Sequence, residues 1–120
     1  MEKILVVEDN EMNMYLMRFL LKSKGYQVIE AETGEKGVEL AIREKPDMVL
    51  MDIQLPGIDG NEAIKRIRES DSNKNCIIIA VTSYAMTGDM ERILKAGSNG
   101  YIEKPVNPET FLSEIERFMI

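Results

Sequence analysis

Glu8, Asp9, Asp52, Thr82 and Lys104 each close or follow a short apolar run: Ile4–Val7, Met48–Met51, Ile77–Val81 or Tyr101–Ile102. Together they offer three carboxylates, a hydroxyl and an ammonium. Carboxylates gathered at one point repel each other and raise one another's pKa unless a cation intervenes. A hard divalent ion that takes oxygen ligands and keeps some water meets that need, which makes Mg²⁺ the natural candidate. A carboxylate can also attack phosphorus and become an acyl phosphate. Such a transfer asks mainly for positioning and for cations around a dispersed negative charge. Asp52 stands where an apolar run breaks into the turn Pro56-Gly57, and it is the candidate nucleophile. Mg²⁺ on one side, Lys104 on the other and the Thr82 hydroxyl on a remaining oxygen complete the expected site. Singly, each residue has an ordinary explanation: a loop acid, a solvated lysine or a strand-end hydroxyl. Their convergence is what favours chemistry.

Residues so far apart in the chain meet only if the elements bearing them share one edge of a sheet. Five apolar runs, Ile4–Val7, Gln27–Ile29, Met48–Met51, Ile77–Val81 and Gly100–Ile102, alternate with amphipathic segments over 11–23, 34–44, 59–70, 86–96 and 107–119. The first, third and fourth runs are nearly unbroken in apolar residues, as strands buried on both faces should be. The second is short and mixed, which suits an edge strand. Gly25, Pro46 and Gly97 stop three of the helices. Asn107-Pro108-Glu109 reads as an N-cap, a first-turn proline and a first-turn acid. Strict βα alternation predicts an α/β fold with a parallel sheet, right-handed crossovers and helices on both faces. The predicted strand order is 2-1-3-4-5, with a crevice at the carboxyl ends of strands 1 and 3.

The bulk composition narrows the field. The chain has 120 residues, 44% apolar and 30% charged, and is expected to form one domain over 1–120 with a real core. A net charge of −6 argues against nucleic acid or an anionic membrane as a direct partner. Histidine is absent, so this chain has no histidine triad, no histidine-ligated zinc and no phosphohistidine of its own. Cys76 is the only cysteine, which excludes an internal disulfide. No segment approaches the ~20 apolar residues of a membrane span, and no basic-then-apolar leader precedes the first strand. A cytoplasmic protein is expected.

Five short motifs follow one another along the chain: Val7-Glu8-Asp9-Asn10, Leu50-Met51-Asp52, Pro56-Gly57-Ile58-Asp59-Gly60, Val81-Thr82-Ser83 and Tyr101-Ile102-Glu103-Lys104-Pro105. Each is weak alone. In this order and at these separations they resemble a receiver (CheY-like) domain of a two-component response regulator. Glu8-Asp9-Asn10 followed by Asn13 is most similar to hybrid-kinase receivers and DivK-type single-domain regulators. The resemblance implies a flavodoxin-like doubly wound sheet with five flanking helices. It implies that Asp52 accepts a phosphoryl group from a phosphohistidine on a sensor histidine kinase or phosphotransfer protein. Asp9, Asp52 and the backbone carbonyl of Gln54 would hold Mg²⁺, with Glu8, an aspartate in many relatives, acting directly or through water. Thr82 and Lys104 would hold the phosphoryl oxygens, and Tyr101 would turn inward as Thr82 moves toward the phosphate. Lys104-Pro105 would be a cis peptide. A downstream protein would read the surface around the fourth helix, fifth strand and fifth helix. Gln54 and Tyr84 occupy positions that tune phosphate lifetime in the family. The chain is compatible with a stand-alone regulator, the alternative being a receiver excised from a hybrid histidine kinase.

The first helix carries Met12, Met14, Tyr15, Leu16, Met17, Phe19, Leu20 and Leu21, more apolar surface than a one-sided contact consumes. Leu16, Met17 and Leu20 are predicted to face the sheet, and Met14 is predicted to dock a helical hairpin of the kinase. The main alternative is an aspartate-nucleophile phosphatase of the haloacid-dehalogenase type, which wants a second aspartate two residues after the first. Gln54 stands there, so the expectation is a receiver that gains and loses its own phosphate rather than an enzyme turning over small esters. A nucleotide-binding module would want a glycine-rich turn after strand 1, and Val7-Glu8-Asp9-Asn10 has none. A degenerate receiver used only for docking is disfavoured because every chemical position is filled.

Overall fold

The computed structural model describes residues 2–70, 75–83 and 87–119. Tyr84, expected to influence phosphate lifetime, lies outside the described residues. In chain order the elements are β1 (Lys3–Val7), α1 (Glu11–Ser23), β2 (Gln27–Ala31), α2 (Gly34–Glu44), β3 (Met48–Asp52), α3 (Gly60–Glu69), β4 (Ile77–Thr82), α4 (Thr87–Ala96), β5 (Gly100–Glu103) and α5 (Phe111–Glu116). A short 3-10 turn over Arg117–Met119 extends α5. All strand pairs are parallel, in the order β2-β1-β3-β4-β5. This is the parallel α/β sheet, in the order, that the alternation of elements predicts, and the flavodoxin-like doubly wound fold that the resemblance implies.

Side chains alternate across the sheet and build two cores. Leu5, Val7, Val49, Met51, Ile78 and Ala80 meet Leu40, Ile64, Ile67 and Ile93 from α2, α3 and α4. Ile4, Val6, Met48, Leu50, Ile79 and Val81 meet Met14, Met17 and Leu21 of α1 and Phe111 and Ile115 of α5. With helices on both faces, every residue of β3 and all but the first of β1 and β4 are buried. Each large side chain fully buried in this way contributes about 1.5–3 kcal/mol. β2, at the edge, is buried only at Ala31.

α1, α2 and α3 open with side-chain caps. Asn10 accepts from the Asn13 N–H at 2.9 Å, Thr33 from Lys36 at 3.1 Å and Asp59 from Glu62 at 2.9 Å. Gly25, at φ 94, supplies the left-handed turn that carries the chain from α1 into β2.

Several boundaries differ from the sequence-based expectation. β3 and β4 run on through Asp52 and Thr82, so these residues are strand termini whose backbones remain in the ladder. Asp59 caps α3 rather than beginning it. The last helix starts at Phe111, not at 107. Asn107 spends its side chain on the Glu109 N–H at 2.9 Å and its carbonyl on Thr110 and Phe111, which makes a turn before the helix. On α1 the stripe facing the sheet is Met14, Met17 and Leu21, while Leu16 and Leu20 flank it half-buried.

Candidate functional site

The carboxyl ends of β1 and β3 lie side by side, because β1 pairs with β3 from Ile4↔Met48 to Val7↔Met51. Glu8 follows β1 directly, and its own N–H is held by the Ala31 carbonyl at 3.0 Å. Its side chain is 1% exposed, and one carboxylate oxygen accepts the Asn10 N–H at 3.2 Å. Asn10 therefore caps α1 with its side chain and restrains Glu8 with its backbone. Asp9, between them, is exposed.

Asp52 is also 1% exposed. Its Oδ1 accepts the Gln54 N–H at 2.9 Å, and its Oδ2 lies 3.0 Å from the Lys104 Nζ. The same ammonium lies 3.2 Å from Glu8 Oε1. Gly60 permits α3 to start close behind, since a Cβ there would run into the Asp52 carbonyl. Thr82, buried at the end of β4, accepts the Lys104 N–H on its carbonyl at 2.8 Å. The Lys104–Pro105 peptide is cis. Thus the structure gathers Glu8, Asp9, Asp52 and Lys104 at one mouth, with Thr82 on the adjoining strand.

One ammonium serves two buried carboxylates here, and the electrostatics reflect that shortage. Burial, then the charge of Asp52, pushes the Glu8 carboxyl up to about 7, against weaker opposing pulls from Lys104 and the Asn10 N–H. Burial alone pulls Lys104 down, but the hydrogen bond and charge of Asp52 and the nearby Glu8 outweigh it, and the net shift is upward. Glu8 Oε1 is buried and meets the Lys104 ammonium as an ion pair at 3.2 Å rather than a hydrogen bond. An oxygen from each of Glu8, Asp9 and Asp52 lies within 4.8 Å of the others. All are hard oxygen donors of the kind that Mg²⁺ takes. The donor set, with a buried Glu8 oxygen that makes no hydrogen bond, fits a small divalent cation.

Tyr101 is half-buried on β5, packed against the α2–α3–α4 core. It pairs with Ala80, and Thr82 lies two residues further along β4. Alternation therefore places Thr82 and Tyr101 on the same face of the sheet. Gln54, exposed, contributes its N–H to Asp52.

Met14 is corrected by the structure. It is 6% exposed and sits in the core with Met17 and Leu21, so its side chain does not reach a partner. The apolar residues that α1 exposes are Met12, Tyr15 and Phe19, at 76%, 56% and 59%. Tyr15 and Phe19 stack with ring centroids 6.2 Å apart, and the Arg18 guanidinium lies over Tyr15 at 5.7 Å. The sequence signal was there in the i, i+4 aromatic pair with a basic residue beside it, but apolar residues on every side of the helix concealed which ones face out.

Residues 4–116 match the sequence profile of the response regulator receiver domain. The chain is 40% identical to the polar-differentiation response regulator DivK of Brucella anthropi over 118 residues, 98% of this chain and 96% of that protein. Among solved structures, the receiver domain of sensor histidine kinase PA1611 from Pseudomonas aeruginosa PAO1, which has a magnesium ion coordinated in its active site cleft, aligns with a TM-score of 0.90 and 36% identity. That alignment covers 98% of this chain and 97% of the other. Chemotaxis response regulator CheY4 of Vibrio cholerae aligns with a TM-score of 0.94 and 27% identity, covering 98% of both chains.

Proposed function

The chain belongs to the response regulator receiver domain family, and from that premise we propose that Asp52 is its phosphoacceptor in two-component signalling. The observation carrying this reading is the setting of the Asp52 carboxylate. It is buried at a strand end, one oxygen is fixed by the Gln54 N–H and the other faces the Lys104 ammonium.

In the proposed reaction an Asp52 oxygen attacks the phosphorus of a phosphohistidine. The oxygen–phosphorus bond forms as the phosphorus–nitrogen bond breaks, and the imidazole nitrogen leaves with the electron pair and takes up a proton. Lys104, already against Asp52, follows the incoming oxygens, and the Thr82 hydroxyl donates to another of them. Asp9, Asp52 and the Gln54 carbonyl would hold Mg²⁺, with Glu8 bound directly or through water. The ion would neutralise charge on the transferring group. With Gln54 where a phosphatase would need an acid, release of the phosphate falls to water, and turnover of small esters is not expected.

The same site is proposed to drive a switch. Phosphorylation adds about −1.5 to −2 charges at a single point. Thr82 drawn toward that charge vacates space on the face it shares with Tyr101, which then turns inward. The surface formed by α4, β5 and α5 would change with it and be read by a downstream protein; Leu94 already exposes apolar surface on α4. Receiver domains work with histidine kinases or phosphotransfer proteins. Here the donor is proposed to dock over Met12, Tyr15 and Phe19. No described helix is long and apolar enough to cross a membrane, and we place this exchange in the cytoplasm.

The test is intact mass after incubation with acetyl phosphate and Mg²⁺. The reading requires one added phosphoryl group that disappears with chelator and in Asp52→Asn. Continuous phosphate release from assorted small esters would instead favour a hydrolase.

A further inference from the structure

Residues 53–59 join β3 to α3. They carry the Gln54 N–H that holds Asp52 Oδ1 at 2.9 Å, and the Gln54 carbonyl proposed to bind Mg²⁺. The ends of this loop are fixed. The Ile53 N–H bonds the Val81 carbonyl at 3.1 Å, the Gly60 N–H bonds the Ile53 carbonyl at 3.0 Å, and Asp59 caps α3. Between them the chain turns through Gly57 at φ 77, and Leu55 and Ile58 seat it in the α2–α3–α4 core.

A second support comes from elsewhere in the chain. α2 starts at Gly34, directly after its Thr33 cap. It lies so close to the loop that a Cβ on Gly34 would stand 2.7 Å from Ile58 Cγ1 and 2.8 Å from the Ile58 carbonyl oxygen. Backbone conformation gives no reason for a glycine here, because the described glycines with positive φ are Gly25, Gly57 and Gly97. Helix propensity argues against one, since alanine is the better helix former. Space is what remains. Backing α2 away to admit a methyl would strip contacts from Leu40 and Ala41, both buried in the core. The loop is therefore the part that yields. A push on Ile58 is carried back through the short stretch 55–57 to Gln54.

From this geometry we propose that Gly34 is a positioning residue for the phosphorylation site. By lacking a Cβ it lets α2 hold the loop of residues 53–59, and that contact fixes the Gln54 N–H and carbonyl against Asp52. The consequence for Mg²⁺ rests on the phosphoacceptor reading; the contact itself does not.

The experiment compares the full chain with Gly34→Ala by backbone amide spectra, first in chelator and then across a Mg²⁺ titration. In chelator the Gln54 amide should move. In the titration the variant should bind Mg²⁺ about tenfold more weakly, the low end of what losing a support behind a metal ligand costs. Leu40→Ala, more than one turn further along α2, shows what a merely loosened helix does. Its denaturation midpoint should fall while its Gln54 amide and Mg²⁺ affinity stay at wild-type values. Gly34→Ala/Ile58→Ala gives the added methyl the room of the Ile58 side chain and should recover part of the lost affinity. Should Gly34→Ala not fold, Ile58→Ala alone opens the contact from the other side, and it should move the same amide and weaken Mg²⁺ binding. An unmoved Gln54 amide, wild-type Mg²⁺ affinity, an equal loss in Leu40→Ala or no recovery in the double variant would each overturn the proposal. If the wild type takes up neither Mg²⁺ nor a phosphoryl group from acetyl phosphate, the phosphoacceptor reading falls. The Gln54 amide in chelator then still decides whether Gly34 positions the loop.

Discussion

The Lys104 ammonium stands 3.0 Å from Asp52 and 3.2 Å from Glu8, so a single cation is divided between two carboxylates that are each 1% exposed. Buried charges are tolerated only when compensated, and two anions against one cation leave a deficit. The raised Glu8 carboxyl and its oxygen left without a hydrogen bond are two expressions of that deficit. A divalent cation removes it, and so would a proton.

Removing the shared cation should therefore be costly in a condition-dependent way. Lys104→Met is expected to destabilise the metal-free protein by about 3 kcal/mol near neutral pH, the low end for stranding a buried charge, because Glu8 can relieve the strain by taking a proton. Urea denaturation should show the loss shrinking when Mg²⁺ is added. An unchanged midpoint would mean that the ammonium does not hold the carboxylates together.

Glu8 itself sets an unusual sign for pH dependence. Its carboxyl goes from 4.5 to about 7 on folding, so in that window the folded form holds more protons than the unfolded one. Stability from this group is present in full below the ordinary value and is lost as pH rises through the folded value, opposite to a salt-bridged acid. In chelator, the stability of the wild type relative to Glu8→Gln should fall between about pH 5 and about pH 8. Added Mg²⁺ should flatten or reverse that trend, since metal binding favours the ionised carboxylate. A wild-type-minus-variant difference that stays constant with pH in chelator would refute the assignment.

The two kinds of apolar residue on α1 should separate cleanly. Met14→Ala opens the core and should cost about 2–5 kcal/mol. Phe19→Ser removes an exposed ring and should stay within about 0.5 kcal/mol of the wild type. Transfer kinetics should run the other way: Phe19→Ser slows phosphorylation by a histidine donor while leaving the reaction with acetyl phosphate at its original rate. Parallel losses with both donors would remove α1 from docking.

The strand pattern was plain from the sequence because helices cover both faces of the sheet, and β1, β3 and β4 became almost unbroken apolar runs, with Glu8 just after the first and Asp52 and Thr82 ending the other two. Once parallel order is known, those endings must meet at one edge. What composition could not resolve was rotation. On α1, Leu16, Met17 and Leu20 suit a buried stripe as well as Met14, Met17 and Leu21 do, and only the packed sheet distinguishes them. The start of α5 was obscured differently. Asn107 is a good cap residue, but it caps a turn, and the helix waits until Phe111 is buried. The sharing of Lys104 between Glu8 and Asp52 had no local signature at all, because it depends on the direction of three side chains from three separate strand ends.

The central claim is that the carboxylate of residue 52 is the one that becomes phosphorylated. Acyl phosphates are reduced by borohydride, which converts a phosphorylated aspartate to homoserine. Protein treated with acetyl phosphate and Mg²⁺, reduced, digested and sequenced by mass spectrometry should carry homoserine at position 52. Homoserine at position 9 instead, or label recovered only on a serine or threonine, would contradict the account.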